Sequence, residues 1–128
     1  MSDELPKPTD AELAILTVLW SRGPSTVREV HEALDKESGY TTTLKQMQLM
    51  TEKGLLTRSE RFRSHVYEAA EPQEQTQKQI AGDLLKRAFN GSAKSLLMGA
   101  LAAQRASKDE LEEIRRMLDQ FENRKGKR

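Results

Sequence analysis

Strand-type patterning occurs in one place in this sequence, and its position limits what the chain can fold into. Leu55-Leu56-Thr57-Arg58 reads as a short strand. Glu60 to Ser64 is a polar turn, and His65-Val66-Tyr67-Glu68-Ala69 reads as the returning strand. In the return, Val66 falls on one face and His65 and Tyr67 on the other, as period-two alternation requires. Everything around this hairpin has helical spacing, so the fold class is mainly α with a small β-hairpin.

Three helical segments precede the hairpin. Met1 to Pro8 is a loose tail with two prolines. Thr9 followed by Glu12 is a capping box that starts the first helix. Its apolar face is Leu13, Leu16, Val18, Leu19 and Trp20, and Gly23-Pro24 ends it. Ser25 or Thr26 caps the second, which carries Val27, Val30, Ala33 and Leu34 and stops at Ser38-Gly39. Thr41-Thr42-Thr43 offers hydroxyl caps for the third. Thr43, Met47 and Met50 line its inner face, and Gly54 suits the left-handed residue after its last turn. Three short helices followed by a two-stranded hairpin is the plan of a winged helix-turn-helix, whose third helix can enter a DNA major groove while the hairpin lies on the adjacent backbone.

Beyond Pro72 the pattern is helical again. Ile80, Leu84, Leu85, Ala88 and Phe89 precede a break at Asn90-Gly91-Ser92. Ser92 caps a short helix from Ala93 to about Ala103. Ser107 and Glu110 form another capping box, and the last helix carries Leu111, Ile114, Met117, Leu118 and Phe121 before the basic residues Arg124, Lys125, Lys127 and Arg128. The apolar groups Leu84, Leu85, Phe89, Leu96, Leu97, Leu101, Leu111, Ile114 and Leu118 are too many to leave wet. Either they fold onto the N-terminal domain or they pair with a second copy. A dimerisation surface is the favoured expectation, since two-fold symmetry would double the contacts of one small wing domain with DNA. The expected organisation is a winged-helix DNA-binding domain over residues 1–71 and a C-terminal helical dimerisation region over 72–128.

Composition supports this division. Only 36% of the 128 residues are hydrophobic while 32% are charged, a balance that suits amphipathic helices burying one face against a partner. The net charge of +1 identifies no nucleic-acid binder. Its distribution says more: from Thr41 to Tyr67, Lys45, Lys53, Arg58, Arg61 and Arg63 outnumber Glu52 and Glu60, inside a region otherwise acidic through Glu29, Glu32, Asp35 and Glu37. There is no cysteine, which excludes disulfides, thiolate metal ligation and thiol redox sensing. No apolar run is long enough to span a bilayer and the N-terminus lacks a signal-peptide pattern. A cytoplasmic protein without membrane contact is therefore expected.

The residues expected at DNA follow from chemistry. Thr41, Thr42, Lys45, Gln46 and Gln48 place hydroxyl, ammonium and amide groups on the third helix. Gln can bond adenine edges, Lys can reach guanine or phosphate, and Thr can bond phosphate or touch a thymine methyl. Arg58, Arg61 and Arg63 make the hairpin basic, as phosphate or minor-groove contact requires. Phe62 sits among them, either packed beneath the hairpin or exposed at the DNA interface. His31 and His65 have no acidic or thiol partner at ligand spacing, so no metal and no cofactor is expected. No nucleophile elbow, phosphate-cradling glycine loop or metalloprotease motif is present, so no enzymatic activity is expected.

Several strings carry a resemblance. Pro8-Thr9-Asp10-Ala11-Glu12-Leu13 through Leu19-Trp20, Gly23-Pro24-Ser25-Thr26-Val27 through Ala33-Leu34, Tyr40-Thr41-Thr42, Glu52-Lys53-Gly54-Leu55-Leu56, Val66-Tyr67, Phe89-Asn90-Gly91-Ser92 and Leu111-Glu112-Glu113-Ile114 together resemble the BlaI/MecI/CopY penicillinase-repressor family from about Pro8 to Leu118. The resemblance implies a homodimeric transcriptional repressor of the kind that regulates antibiotic-resistance genes, bound to an inverted-repeat operator in double-stranded DNA. Thr41, Thr42 and Lys45 would lie at the DNA, with the wing arginines flanking it. Three positions depart from the family. Leu49 stands where an Arg is frequent. Gly99-Ala100 stands where penicillinase repressors carry an Asn-Phe cleavage pair, so a sensor protease is not expected as a partner. The cysteine cluster of the copper-responsive members is missing. The alternative reading is a winged-helix protein-interaction module without sequence-specific DNA binding.

Overall fold

The first helix opens by a reciprocal exchange. In the computed structural model, which describes residues 7–34, 37 and 39–126, the Thr9 hydroxyl accepts from the Glu12 N–H at 3.2 Å. The Glu12 carboxylate accepts from the Thr9 N–H at 2.9 Å. This capping box starts α1 (Asp10–Arg22), and Gly23, at φ 86°, ends it. The expected apolar face needs a correction. Ile15, Leu16 and Leu19 are the buried side chains of α1, while Leu13, Val18 and Trp20 are half-buried. Positions 15, 16 and 19 form a tighter stripe at helical spacing than the one centred on Leu13.

A second capping box, which the sequence reading did not identify, fixes α2 (Val27–Leu34). The Thr26 hydroxyl accepts from Glu29 N–H at 3.2 Å, and the Glu29 carboxylate accepts from Thr26 N–H at 2.9 Å. Thr26 is thus the cap, while the Ser25 hydroxyl donates to the Gly23 carbonyl. The third helix departs further from expectation. α3 (Tyr40–Lys53) takes Gly39 as its N-cap with no side-chain bond, so the three threonines are not caps. Thr41 and Thr42 lie exposed in the first turn and Thr43 points inward. Gly54 ends α3 at φ 88°, donating its N–H to the carbonyls of Met50 and Thr51.

The hairpin pairs β1 (Leu56–Arg61) with β2 (Ser64–Ala69) antiparallel, from Leu56 opposite Ala69 to Arg61 opposite Ser64. The strands are longer than expected. Glu60, Arg61 and Ser64 belong to the ladder, and only Phe62 and Arg63 form the turn. Both have positive φ, 50° and 66°, the geometry of a tight turn whose twist matches that of the strands it joins. Tyr67 is the core residue of β2, at 1% exposure, with Val66 half-buried and His65 exposed. Ser25 adds a one-residue third strand by exchanging backbone hydrogen bonds with Tyr67, at 2.9 and 2.8 Å. Ile15, Leu16, Leu19, Val27, Val30, Met47, Met50, Leu55, Leu56 and Tyr67 make one continuous core. Burial of each such side chain stabilises the fold by about 1.5–3 kcal/mol.

Two compact units result, one running to Asp83 and one from Leu84. α4 (Gln73–Arg87) begins in the first. Its Thr76 is buried there, the Trp20 indole donates to the Glu71 carbonyl at 3.0 Å, and Lys7 pairs with Asp83 at 2.6 Å. In the second unit the chain turns at Asn90 and Gly91, both at positive φ. The Ser92 hydroxyl, accepting from Ser95 N–H, caps α5 (Ala93–Ala103). Ser107 accepts from Glu110 N–H at the start of α6 (Lys108–Gly126). The segment up to residue 6, Asp35, Ser38, Lys127 and Arg128, on which parts of the sequence reading fell, lie outside the described residues, as does the side chain of Lys125.

Candidate nucleic-acid interface

Three attachments hold α3 with one face outward. Met47 and Met50 are fully buried in the core. Thr43, 1% exposed, shares a 2.8 Å hydrogen bond between its hydroxyl and His31 Nδ1. At the far end Lys53 Nζ donates to the buried Glu12 carboxylate at 2.7 Å. Burial of Glu12 opposes its charge, but the hydrogen bonds from Lys53 and Thr9 and the ammonium charge outweigh this and hold the carboxyl below its usual range. Lys53 is therefore committed to α1, which removes it from the basic strip read in the sequence.

The inward attachments leave Thr41, Lys45, Gln48 and Glu52 at i, i+4, i+7 and i+11, an exposed ridge along α3. Thr42 and Leu49 flank it on one side, Leu49 at 47% exposure. Gln46 is only half-buried-to-solvent, turned further toward the core than the other site residues. On the hairpin, Arg58, Arg61 and Arg63 are all exposed. The register puts Arg58 on the face shared with Glu60, His65 and Tyr67, and Arg61 on the opposite face, with Arg63 at the tip.

Between the start of α2, the first turns of α3 and strand β2 lies an open cleft of about 380 Å³, lined by Arg28, Tyr40, Leu44, Ser64 and His65 among others. The Arg28 guanidinium stands 5.2 Å over the Tyr40 ring, and the His31 ring meets Tyr40 edge-on at 6.2 Å. The sequence reading gave Arg28, Tyr40 and His65 no role at a site. The Thr26–Glu29 capping box was the available signal, since it places Arg28 in the first turn of α2. Glu29, next to Arg28 in the sequence, is engaged elsewhere. Its carboxyl is held below the usual range by the Thr26 N–H and hydroxyl and by Arg22, 3.5 Å away. The surface thus combines hydroxyl, amide, ammonium and guanidinium donors, a set that matches phosphate oxygens and the acceptor-rich edges of bases.

The second unit presents a different surface. Leu84 and Leu118 are exposed, and Leu85, Phe89, Leu96, Leu97, Leu101, Leu111 and Ile114 are half-buried. Met98, Met117 and Phe121 are 62%, 52% and 61% exposed. Among the described residues from 84 to 124, no side chain is buried. Among the described residues no helix is long and apolar enough to cross a membrane, and no group of three His, Cys, Asp or Glu could hold a metal ion.

Known proteins resemble this chain in sequence and in fold. The family model of the penicillinase repressor matches residues 8–120. The transcriptional regulator BlaI of Mycobacterium tuberculosis is 32% identical over 123 residues, covering 93% of this chain and 88% of that protein. The penicillinase repressor of Bacillus licheniformis is 27% identical over 124 residues, covering 95% and 97%. Among solved structures, a MarR family protein from Bacillus stearothermophilus shares the winged-helix fold at a TM-score of 0.51 and 19% identity, covering 94% of this chain and 77% of that one. A match along nearly the whole chain establishes that it belongs to the penicillinase repressor family, whose members are transcriptional repressors and not enzymes.

Proposed function

We propose that this chain acts in the cytoplasm as a homodimer that occupies an inverted-repeat operator in double-stranded DNA and so blocks transcription. The observation that carries the reading is the outward ridge of α3, Thr41, Lys45 and Gln48, standing on a fully buried inner face beside the exposed wing arginines. In this reading Lys45 and Gln48 contact base edges, with Gln46 beside them. Thr41 and Thr42 bond phosphate or meet a thymine methyl, and Arg58, Arg61 and Arg63 grip the backbone.

Residues 1–71 supply DNA contacts and residues 72–128 the dimer. The dimer rests on the half-buried and exposed apolar groups from Leu84 to Phe121, which find no buried position within one chain and match what a self-complementary two-fold interface needs. A sensor protease that cuts an Asn-Phe bond is not part of this reading, since Gly99-Ala100 stands in α5 where the resemblance puts that pair.

Selection of duplexes from a random pool, joined to sedimentation of the free protein, tests the reading. The expected result is a palindrome whose half-sites lie about one helical turn apart, bound by a species of twice the chain mass. A monomer, or a pool with no enriched sequence, refutes it. Exposed Leu49 favours a second reading, the protein-interaction module, which predicts the unenriched pool.

A further inference from the structure

Phe62 occupies the wing tip in a conformation that no contact among the described residues rewards. Its side chain is 99% exposed, and its φ is 50°, followed by 66° at Arg63. A two-residue turn of this kind normally takes Asn-Gly, because each residue must enter the left-handed region. A bulky residue there is a true outlier. An isolated exposed aromatic is ordinary on a protein surface. One held at positive φ, with a guanidinium on either side in Arg61 and Arg63, points to a use outside the chain.

We infer that Phe62 is a wedge that enters the minor groove of duplex DNA and parts a base step, so that the wing bends the duplex as well as gripping its backbone. The inference rests on the repressor reading above. Reach supports it. The last hairpin pair anchored in the core is Arg58 opposite Tyr67. Four further residues to Phe62 carry the tip about 13 Å beyond it at the rise of an extended strand. Charge supports it too. Arg61 and Arg63 match the negative potential of the groove floor and rim, and groove-bending proteins insert apolar wedges, Phe among them, to unstack a step. Flexible pyrimidine–purine steps are the expected targets. Insertion would give the ring the burial and stacking that the free chain denies it.

The test uses the full chain and a duplex recovered from the random pool, with 2-aminopurine placed at successive adenines on both flanks and fluorophores at the two ends. Three proteins are compared: wild type, Phe62→Asn, which suits the turn, and Phe62→Leu, which keeps an apolar wedge. Wild type is expected to raise 2-aminopurine fluorescence at one step per flank and to bring the ends together. Phe62→Asn should melt no lower than wild type, keep the same sequence preference, lose both signals and bind about tenfold more weakly, from loss of base–aromatic stacking. Phe62→Leu should restore most of the bend. If Phe62→Asn unstacks and bends the duplex as wild type does, or if its only effect is on self-association, the wedge is refuted while the repressor reading stands. If wild type recovers no duplex from the pool, both fall together.

Discussion

Glu12→Gln takes one charge out of the joint between α1 and α3 and leaves its shape almost unchanged. The Gln amide oxygen can still accept the Thr9 N–H, so the cap survives. What is lost is the charge-assisted bond to Lys53, 2.7 Å long with its carboxylate 6% exposed and its ammonium side chain 50% exposed. Hydrogen bonds to charged groups are worth about 1.5–3 kcal/mol, and fully exposed pairs only about 0.2–1 kcal/mol. Half-exposed Lys53 regains hydration when it lets go, which places the cost between these limits, at about 1 kcal/mol. For a unit of this size that lowers Tm by roughly 4–8 °C. The effect must depend on pH. The Glu12 carboxyl is held below its ordinary 4.5 in the folded chain, so its contribution is complete above that value and is lost as pH falls through the lower folded value. Urea titrations of wild type and Glu12→Gln from pH 7 downward should therefore converge in acid, where both side chains are neutral. A gap that stays constant with pH, or no gap at pH 7, would refute the assignment of this pair as the clamp on α3. Adding Lys53→Met should change Glu12→Gln little, because the interaction is already gone.

Two further outcomes follow from the same geometry. Lys45→Ala is expected to weaken binding to the selected palindrome by about 1–3 kcal/mol and relax its consensus, while Arg63→Ala weakens all duplexes alike and lowers the salt slope; fluorescence titrations at several salt concentrations separate these. Gly54→Ala meets open space but must hold φ 88°, so it should cost about 1–2 kcal/mol of unfolding free energy in urea with no change in the slope of the transition.

The element order was legible because each helix start carries its own chemistry. Thr9 with Glu12, Ser92 and Ser107 all cap where side-chain oxygen, spacing and apolar run agreed, and Gly54 ends α3 in the one conformation that favours glycine. Reading failed where local chemistry and tertiary structure disagree. Thr41, Thr42 and Thr43 are good caps by type, yet Gly39 is the N-cap and all three lie inside the helix, with Thr43 turned inward and hydrogen-bonded to His31. The two-residue turn was invisible because Phe62-Arg63 has none of the residues that favour positive φ. Lys53 looked like part of a basic strip, since only a structure shows a partner 41 residues away. The ridge Thr41, Lys45, Gln48 was legible from side-chain chemistry on an expected helix, which also pointed to half-buried Gln46, whereas the Arg28–Tyr40 contact joins two helices and leaves no mark in a single pattern.

The two units differ in what they need to be stable, and this bears on how the proposed repressor would respond. The first closes a core of ten apolar side chains by itself. The second buries none of its described residues from 84 to 124, and in the proposed dimer its apolar surface would be covered by the partner chain. In a dimer, binding of the first half-site makes the second an intramolecular event at an effective concentration of about a millimolar. Operator affinity and self-association are then linked, and a signal that loosens the second unit would release DNA without touching α3 or the wing. Substitutions such as Leu118→Glu, in the second unit, would present as loss of operator affinity that excess protein restores. Loss at Lys45 would not be restored to the same sequence preference at any protein concentration, because it removes a contact rather than a partner.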